Sequence, residues 1–585
     1  MLRSTLIATL GAAILSISPA SARQSAQKEV VHGVAHLCGT HLGGPEFSRA
    51  LHAFHDARDA GLLEPKAEKS GARANDIGDR RPFRVWNWTT SSWASREFEL
   101  RDTTRLYDAW VEVQNLAQVT AAELQAVRHH LTISTPSASI DPSRGIIANN
   151  LDVFGDSPDV DGDGVIDLLF YDIDNNNVGG FVHPGDLTES QGGNGRDVLH
   201  LDVYQSASYL PRLIAHEFVH LIHFNYQLDV ETFISEGLAE YGMVVNGYTQ
   251  DAFGYLAYPT EHKRGLFSWR GIDGENVGRD YDRGRLFFSY VAERLGPYGN
   301  GEILRSERKG APGVDSVMVQ HGERLSEVIA DFHTANWVFD TSVGERFGYT
   351  RPFSTPPAPI PDFTVDTVGS SFTPEANPED RPTLQGGAVH YVRFDRMADL
   401  SLTFDAYASP AVQAATPGIV ADIRSRLQAR LVARRDDGTV VVVRLDPRAA
   451  NTRLTGNFEE VIVVVTGTDP AKQSQYALDG SWRPFGTSTE AEEERPLPEG
   501  FSLESLYPRP ISGRGIVEWS QETASSVAVY LVDTTGRRIS LHGTGFWPAG
   551  RNRLALNVSG LAAGSYLLVL ENGDQRITRS LVVAR

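Results

Sequence analysis

The sequence predicts a multidomain α+β protein: one domain with a β-sheet N-terminal part and a helical C-terminal part, followed by two β-sandwich-like domains. Three observations predict it. At 585 residues the chain is too long for a single hydrophobic core. Between about 210 and 340, apolar residues recur at helical spacing, as at Leu210, Leu213, Ile214, Phe218, Leu221 and Ile222. Beyond a Pro-rich stretch, Arg351 to Pro361, only short β-like runs remain.

The elements follow in order. Residues 1–22 read as a signal peptide. Arg3 supplies the positive start, Leu6 to Ile17 is an apolar run too short to span a bilayer, and Ala20-Ser21-Ala22 is a small-residue cleavage pattern. Residues 23–82 are polar and broken by Gly and Pro, as in a pro-segment or a loosely ordered lead-in. The mixed domain is expected over 83–345. Its strands are expected at Phe83 to Trp86, Phe98 to Leu100, Ala109 to Val113 and Val165 to Tyr171. A helix opens behind Thr120 as its cap. The Pro-rich residues 346–362 form a stiff linker, and 363–485 an all-β domain. An acidic linker, 486–499, leads to a last β-sandwich at 500–585, where Thr535-Gly536 and Asn572-Gly573 mark turns.

Charge and cysteine content narrow the function. The formal net charge is −20 and the sequence pI about 5.3. An acidic chain does not replace counterions on phosphate, so a nucleic-acid partner is not expected. No later segment is apolar enough to be transmembrane. Cys38 is the single cysteine, so no disulfide forms within the chain.

The chemistry concentrates at His216-Glu217-Phe218-Val219-His220, the pattern H-E-x-x-H. Residues four apart share one helix face, so two imidazoles there can grip one Zn²⁺. Glu217, offset by one residue, is placed as general base toward water whose pKa zinc lowers to ~7. A catalytic zinc takes three protein ligands. The next helical run, Phe233 to Tyr241, carries Glu236 as the third ligand, and Glu240, on the same face, can accept from the free nitrogen of a zinc histidine. His223 reads as a polar neighbour rather than a ligand.

Asp159-Val160-Asp161-Gly162-Asp163-Gly164-Val165-Ile166-Asp167 has the form of a calcium loop. Asp159, Asp161, Asp163 and Asp167 would supply carboxylates and Val165 its backbone carbonyl. Phe170 at the twelfth position means it is not a complete EF-hand, and a solvated acidic turn is the alternative. Cys38 has two readings. Its thiolate could fill an open zinc position and hold the enzyme latent, or it is an inert or intermolecular thiol.

The segments H-E-F-V-H-L-I-H-F-N (His216 to Asn225) and F-I-S-E-G-L-A-E-Y (Phe233 to Tyr241) resemble the gluzincin metallopeptidases, most nearly the hyicolysin-like bacterial group. The resemblance implies a zincin-like metallopeptidase domain over 83–345, with Glu236 as a zinc ligand. Ser235 stands where that group usually has Asn. Tyr281-Asp282-Arg283-Gly284 is similar to a tyrosine-x-x-glycine step of gluzincin aminopeptidases, which implies Tyr281 as an oxyanion stabiliser; a tyrosine packed at a helix start is the alternative. The C-terminal module, with Leu506-Tyr507-Pro508, Val532 to Arg537, Leu561 to Tyr566 and Leu581 to Val583, resembles type IX secretion sorting domains. That implies passage through the outer membrane and release or anchoring at the cell surface.

The expectation is therefore a secreted zinc endopeptidase acting on proteins or peptides. An inactive metallopeptidase fold serving as a surface binding or adhesion protein is the rival from another class. An exopeptidase is the rival within the class, and no terminal-amine anchor is legible for it.

Overall fold

The computed structural model describes residues 37–63, 75–175, 177–228, 231–248, 258, 260–270, 277–350, 366–367, 382–406, 425–485, 500–507, 510–511, 514–547, 549–558, 560–573 and 575–584. The signal segment, most of the Pro-rich linker and the acidic linker lie outside the described residues.

The first domain is built on a seven-stranded mixed sheet. Its strands are β1 (Leu37–Cys38), β2 (Arg80–Asn87), β3 (Ser92–Thr103), β4 (Tyr107–Glu112), β5 (Ile166–Tyr171), β6 (Val178–Phe181) and β7 (Val198–Asp202), in the order β1-β6-β7-β5-β4-β3-β2. The centre, β4-β5-β7, is parallel, while β2, β3 and β6 run antiparallel to their inner neighbours. A central parallel strand is covered on both faces, and β4, β5 and β7 are buried at every position. One face packs Phe83, Trp86, Phe98, Trp110 and Tyr171 together; the other meets the helices through Ala109, Leu168, Phe170 and Leu199.

The helices follow their sequence signals. Thr120 caps Ala121–Thr132 with a full capping box: its hydroxyl accepts the Glu123 N–H, and the Glu123 carboxylate accepts the Thr120 N–H at 2.7 Å. Leu210–Tyr226, Thr232–Val245, Gly278–Leu295 and Leu325–Val338 form the helical half.

The structure corrects the reading of the lead-in. Residues 37–63 are folded into the domain rather than loosely ordered. Gly44–Asp59 is a helix whose Phe47, Leu51 and Phe54 are buried. Sequence polarity hid this because one apolar stripe on a short helix leaves most positions polar.

The middle domain also departs from expectation. It is one sheet rather than a two-sheet sandwich. The long strands Val389–Ala406 and Arg448–Gly467 pair along their length. One face closes a core of Phe394, Leu402, Phe404, Leu431 and Val463. The other, with Tyr391, Val432 and Ile462, is covered by Trp337 and Val338 of helix Leu325–Val338. A helix from the first domain thus covers the face opposite the domain's main core. The last domain is a sandwich, a three-stranded and a four-stranded sheet closing over Trp519, Val529, Leu568 and Leu570.

Candidate metal centre and active site

The H-E-x-x-H helix is buried from Leu210 to Phe224 except at Arg212. It lies against Thr232–Val245 at close range. A Cβ on Gly242 would stand 2.5 Å from the Val219 side chain and 3.1 Å from the Ala215 carbonyl. The second helix meets Gly278–Leu295 equally closely, where a Cβ on Gly284 would lie 3.0 Å from Gly237 Cα. Two glycine contacts therefore set three helices at one spacing, and Glu236 projects into the space between them.

There the ligand candidates converge. His216 Nε2 and His220 Nε2 are 3.2 Å apart, and Glu236 Oε2 lies 3.2 Å and 3.4 Å from them. Each ring's other nitrogen is engaged elsewhere. His216 Nδ1 faces Glu240 Oε1 at 3.2 Å, and His220 Nδ1 faces the Ser235 hydroxyl at 3.1 Å. Ser235 thus holds the His220 ring from outside the cluster.

This geometry is a test of fit for a metal. Two imidazole nitrogens and a carboxylate oxygen converge on one point, where either a proton or a cation can lie between them. Two N donors and one O donor, with outer partners on both rings, suit Zn²⁺. Glu217 Oε1 is buried with no hydrogen-bond partner, a polar atom left for a ligand or water. Burial opposes charge on His216, yet hydrogen bonds to Glu236 and Glu240 raise its pKa to about 10. Burial alone would raise Glu236, but His220, His41 and the bond from His216 keep it well below the carboxylate range. Burial raises Glu217.

Tyr281 also reaches this site. Its hydroxyl accepts the Cys38 N–H at 3.1 Å and lies 3.3 Å from His41 Nδ1, and its ring tilts 43° to His216 with centroids 6.1 Å apart. Cys38 is 2% exposed, which leaves it inaccessible to another chain in this conformation. Its Sγ falls in a group with ligand atoms of His216, His220 and Glu236, all within 4.8 Å of one another. Thr40 and His41, which sequence reasoning did not single out, touch Glu217 and Glu236. Their only signal was proximity to Cys38. His223 is buried in the helix and does not join the donor group.

The acidic loop comes together in part. Asp159, Asp161 and Asp163 bring carboxylate oxygens within 4.8 Å, and Val165 donates its N–H to Asp163 at 2.9 Å. Asp167 turns away into β5, accepting from Trp110 Nε1 at 3.0 Å and from Arg196 Nε at 2.5 Å. Arg196 also lies 3.1 Å from Asp161 and 3.2 Å from Asp163, so a guanidinium already offsets part of the loop's charge.

Comparison with known proteins speaks to one end of the chain. Residues 505–584 match the family model of the secretion system C-terminal sorting domain. The protein is therefore an export cargo of the type IX machinery, secreted or held at the cell surface. No helix among the described residues is long and apolar enough to cross a membrane. No curated protein matches the chain in sequence. Among solved structures, a β-1,2-glucanase from Parabacteroides distasonis aligns at 12% identity and TM-score 0.12, over 33% of this chain and 28% of its own. The PBSX exported protein XepA aligns at 11% identity and TM-score 0.12, over 34% and 82%. A GH2 β-galacturonidase from Eisenbergiella tayi aligns at 8% identity and TM-score 0.10, over 33% and 35%. Alignments this weak carry no argument about fold or activity.

Proposed function

We propose that the chain is a secreted zinc-dependent endopeptidase of gluzincin type. The observation that carries this is the pairing of roles at the two histidines: both Nε2 atoms aim at Glu236 Oε2, while both Nδ1 atoms are held from outside by Glu240 and Ser235. His216, His220 and Glu236 would hold the ion. Zn²⁺ bound there supplies Lewis acidity, polarising a peptide carbonyl and bringing the pKa of water down to ~7.

The chain's own groups do the rest. Glu217 accepts a proton from the attacking water at its unpaired Oε1 and passes it to the departing amine. Its burial raises its proton affinity. Tyr281 offers a hydroxyl to the oxyanion once its present partner leaves. Ca²⁺ at Asp159, Asp161 and Asp163 belongs to the same reading as a structural ion.

The test is zinc content and casein digestion by the processed protein recovered from medium, with and without chelator. One zinc per chain and chelator-sensitive cleavage support the reading. Glu217→Ala should fall to background, and full activity in that variant removes Glu217 from the mechanism. Mass mapping of products separates internal cuts from end trimming. Metal without turnover would favour the surface-binding alternative.

A further inference from the structure

We propose that Cys38 is the fourth ligand of this same metal, and that residues 37–59 form a latch closing the active site until they are displaced. The inference rests on the zinc reading and adds its regulation. A catalytic zinc keeps one coordination position open. Here Cys38 Sγ stands in the four-donor group with His216, His220 and Glu236.

The thiol is not the only contact. Within four residues, the latch touches every group assigned to catalysis. Cys38 Sγ is 3.3 Å from Glu217 Oε2, and the Thr40 hydroxyl donates to the same oxygen at 3.3 Å. His41 Nδ1 is 3.1 Å from Glu236 Oε1. The Cys38 N–H donates to the Tyr281 hydroxyl, the proposed oxyanion donor. The unpartnered Glu217 Oε1, buried beside this cluster, marks where water must enter once the latch leaves.

The segment is built to stay in place. β1 pairs in parallel with β6 at the sheet edge, and the Gly39 N–H donates to the Gly180 carbonyl at 2.9 Å. Gly39 is required there: a Cβ would meet Trp88 at 2.8 Å, Phe181 at 2.9 Å and Val178 at 3.0 Å. The Thr40 hydroxyl also accepts the Val182 N–H at 2.9 Å. The helix behind it grips the far end of the H-E-x-x-H helix. His55 Nε2 donates to the Phe224 carbonyl at 2.8 Å, and Arg58 donates to the Asn225 carbonyl at 2.7 Å. Latch and ligand helix are therefore tied at both ends.

The exchange balances without oxidation or reduction. With metal bound, Cys38 coordinates as the thiolate, its proton having gone to solvent. On displacement the sulfur–metal bond breaks, the thiolate regains a proton from solvent, and water enters the vacated position.

The test uses the unprocessed full chain. Zinc-edge X-ray absorption should show one sulfur at about 2.3 Å among nitrogen and oxygen ligands. Loaded with Co²⁺, the chain should show a thiolate charge-transfer band in the near ultraviolet. Cys38→Ser should lose that band, keep one metal, and cleave casein without processing at a rate about tenfold or more above wild type, because losing the sulfur–metal bond lets the latch be displaced more often. One bound metal with no sulfur neighbour overturns the latch and leaves the zinc reading standing. A full chain that binds no metal overturns both. The absorption measurement on wild type decides the matter even if the variant does not fold.

Discussion

Replacing Glu240 tests whether the outer partners of the ligands set metal affinity. Its carboxylate lies 3.2 Å from His216 Nδ1 and fixes that ring with Nε2 facing the site. A hydrogen bond to a charged group contributes about 1.5–3 kcal/mol. Arg285 stands 3.7 Å from the other oxygen and draws off part of that charge, so the lower half of the range applies. Glu240→Gln keeps an acceptor and loses the charge; Glu240→Ala loses both. Zinc affinity should fall about 10-fold in the first and about 30-fold in the second, or about 1.4 and 2 kcal/mol. Competition against a chromophoric chelator on the full chain measures this, with Cys38 contributing equally to every variant. An alanine variant binding within about threefold of wild type would refute the claim that this contact orients a ligand.

Three further outcomes are expected. Gly237→Ala should cost about 1–3 kcal/mol, since its Cβ would meet the Phe288 ring at 2.5 Å, and should weaken zinc binding by shifting Glu236; denaturant unfolding and metal titration read the two effects. Phe54→Ala should cost about 3–5 kcal/mol by opening a cavity under the latch helix, and a loss below about 1 kcal/mol would mean that helix is not part of the core. Burial holds His333 down at about 3 against its ordinary 6.5, with Nε2 donating to Gly387 at 3.0 Å and Nδ1 accepting from Tyr258. The unfolded chain binds the extra proton, so this contribution is full above pH 6.5 and is lost as pH falls toward 3. Between pH 6.5 and 5 the loss should be about 2 kcal/mol, and His333→Gln should unfold with a shallower acid dependence over that range.

Much of the site was legible because helical spacing is a local property. His216, Glu217 and His220 share a turn, and Glu236 and Glu240 share the next helix, so their faces follow from residue count alone. Thr120 announced its capping box for the same reason, with Glu123 three residues on. The turn and strand pattern of the last module made a β-sandwich legible, and its resemblance to type IX sorting domains, carried by segments such as Leu506-Tyr507-Pro508 and Leu561 to Tyr566, implied the export route that the sorting-domain match supports. Asp167 was expected among the acidic loop's carboxylates, but spacing does not say which way a strand residue points; β5 turns it to Trp110 and Arg196, and the carboxylates that converge are Asp159, Asp161 and Asp163. Only the tertiary structure brought Cys38, Thr40 and His41 against Glu217 and Glu236, about two hundred residues away. Such contacts depend on which sheet edge a two-residue strand joins, and on the burial of Phe47, Leu51 and Phe54 in a mostly polar helix. The shared faces of His216, His220, Glu236 and Glu240 were thus written in local order, while the contacts that residues 38–41 make with Glu217 and Glu236 arise from long-range packing, which residue spacing does not encode.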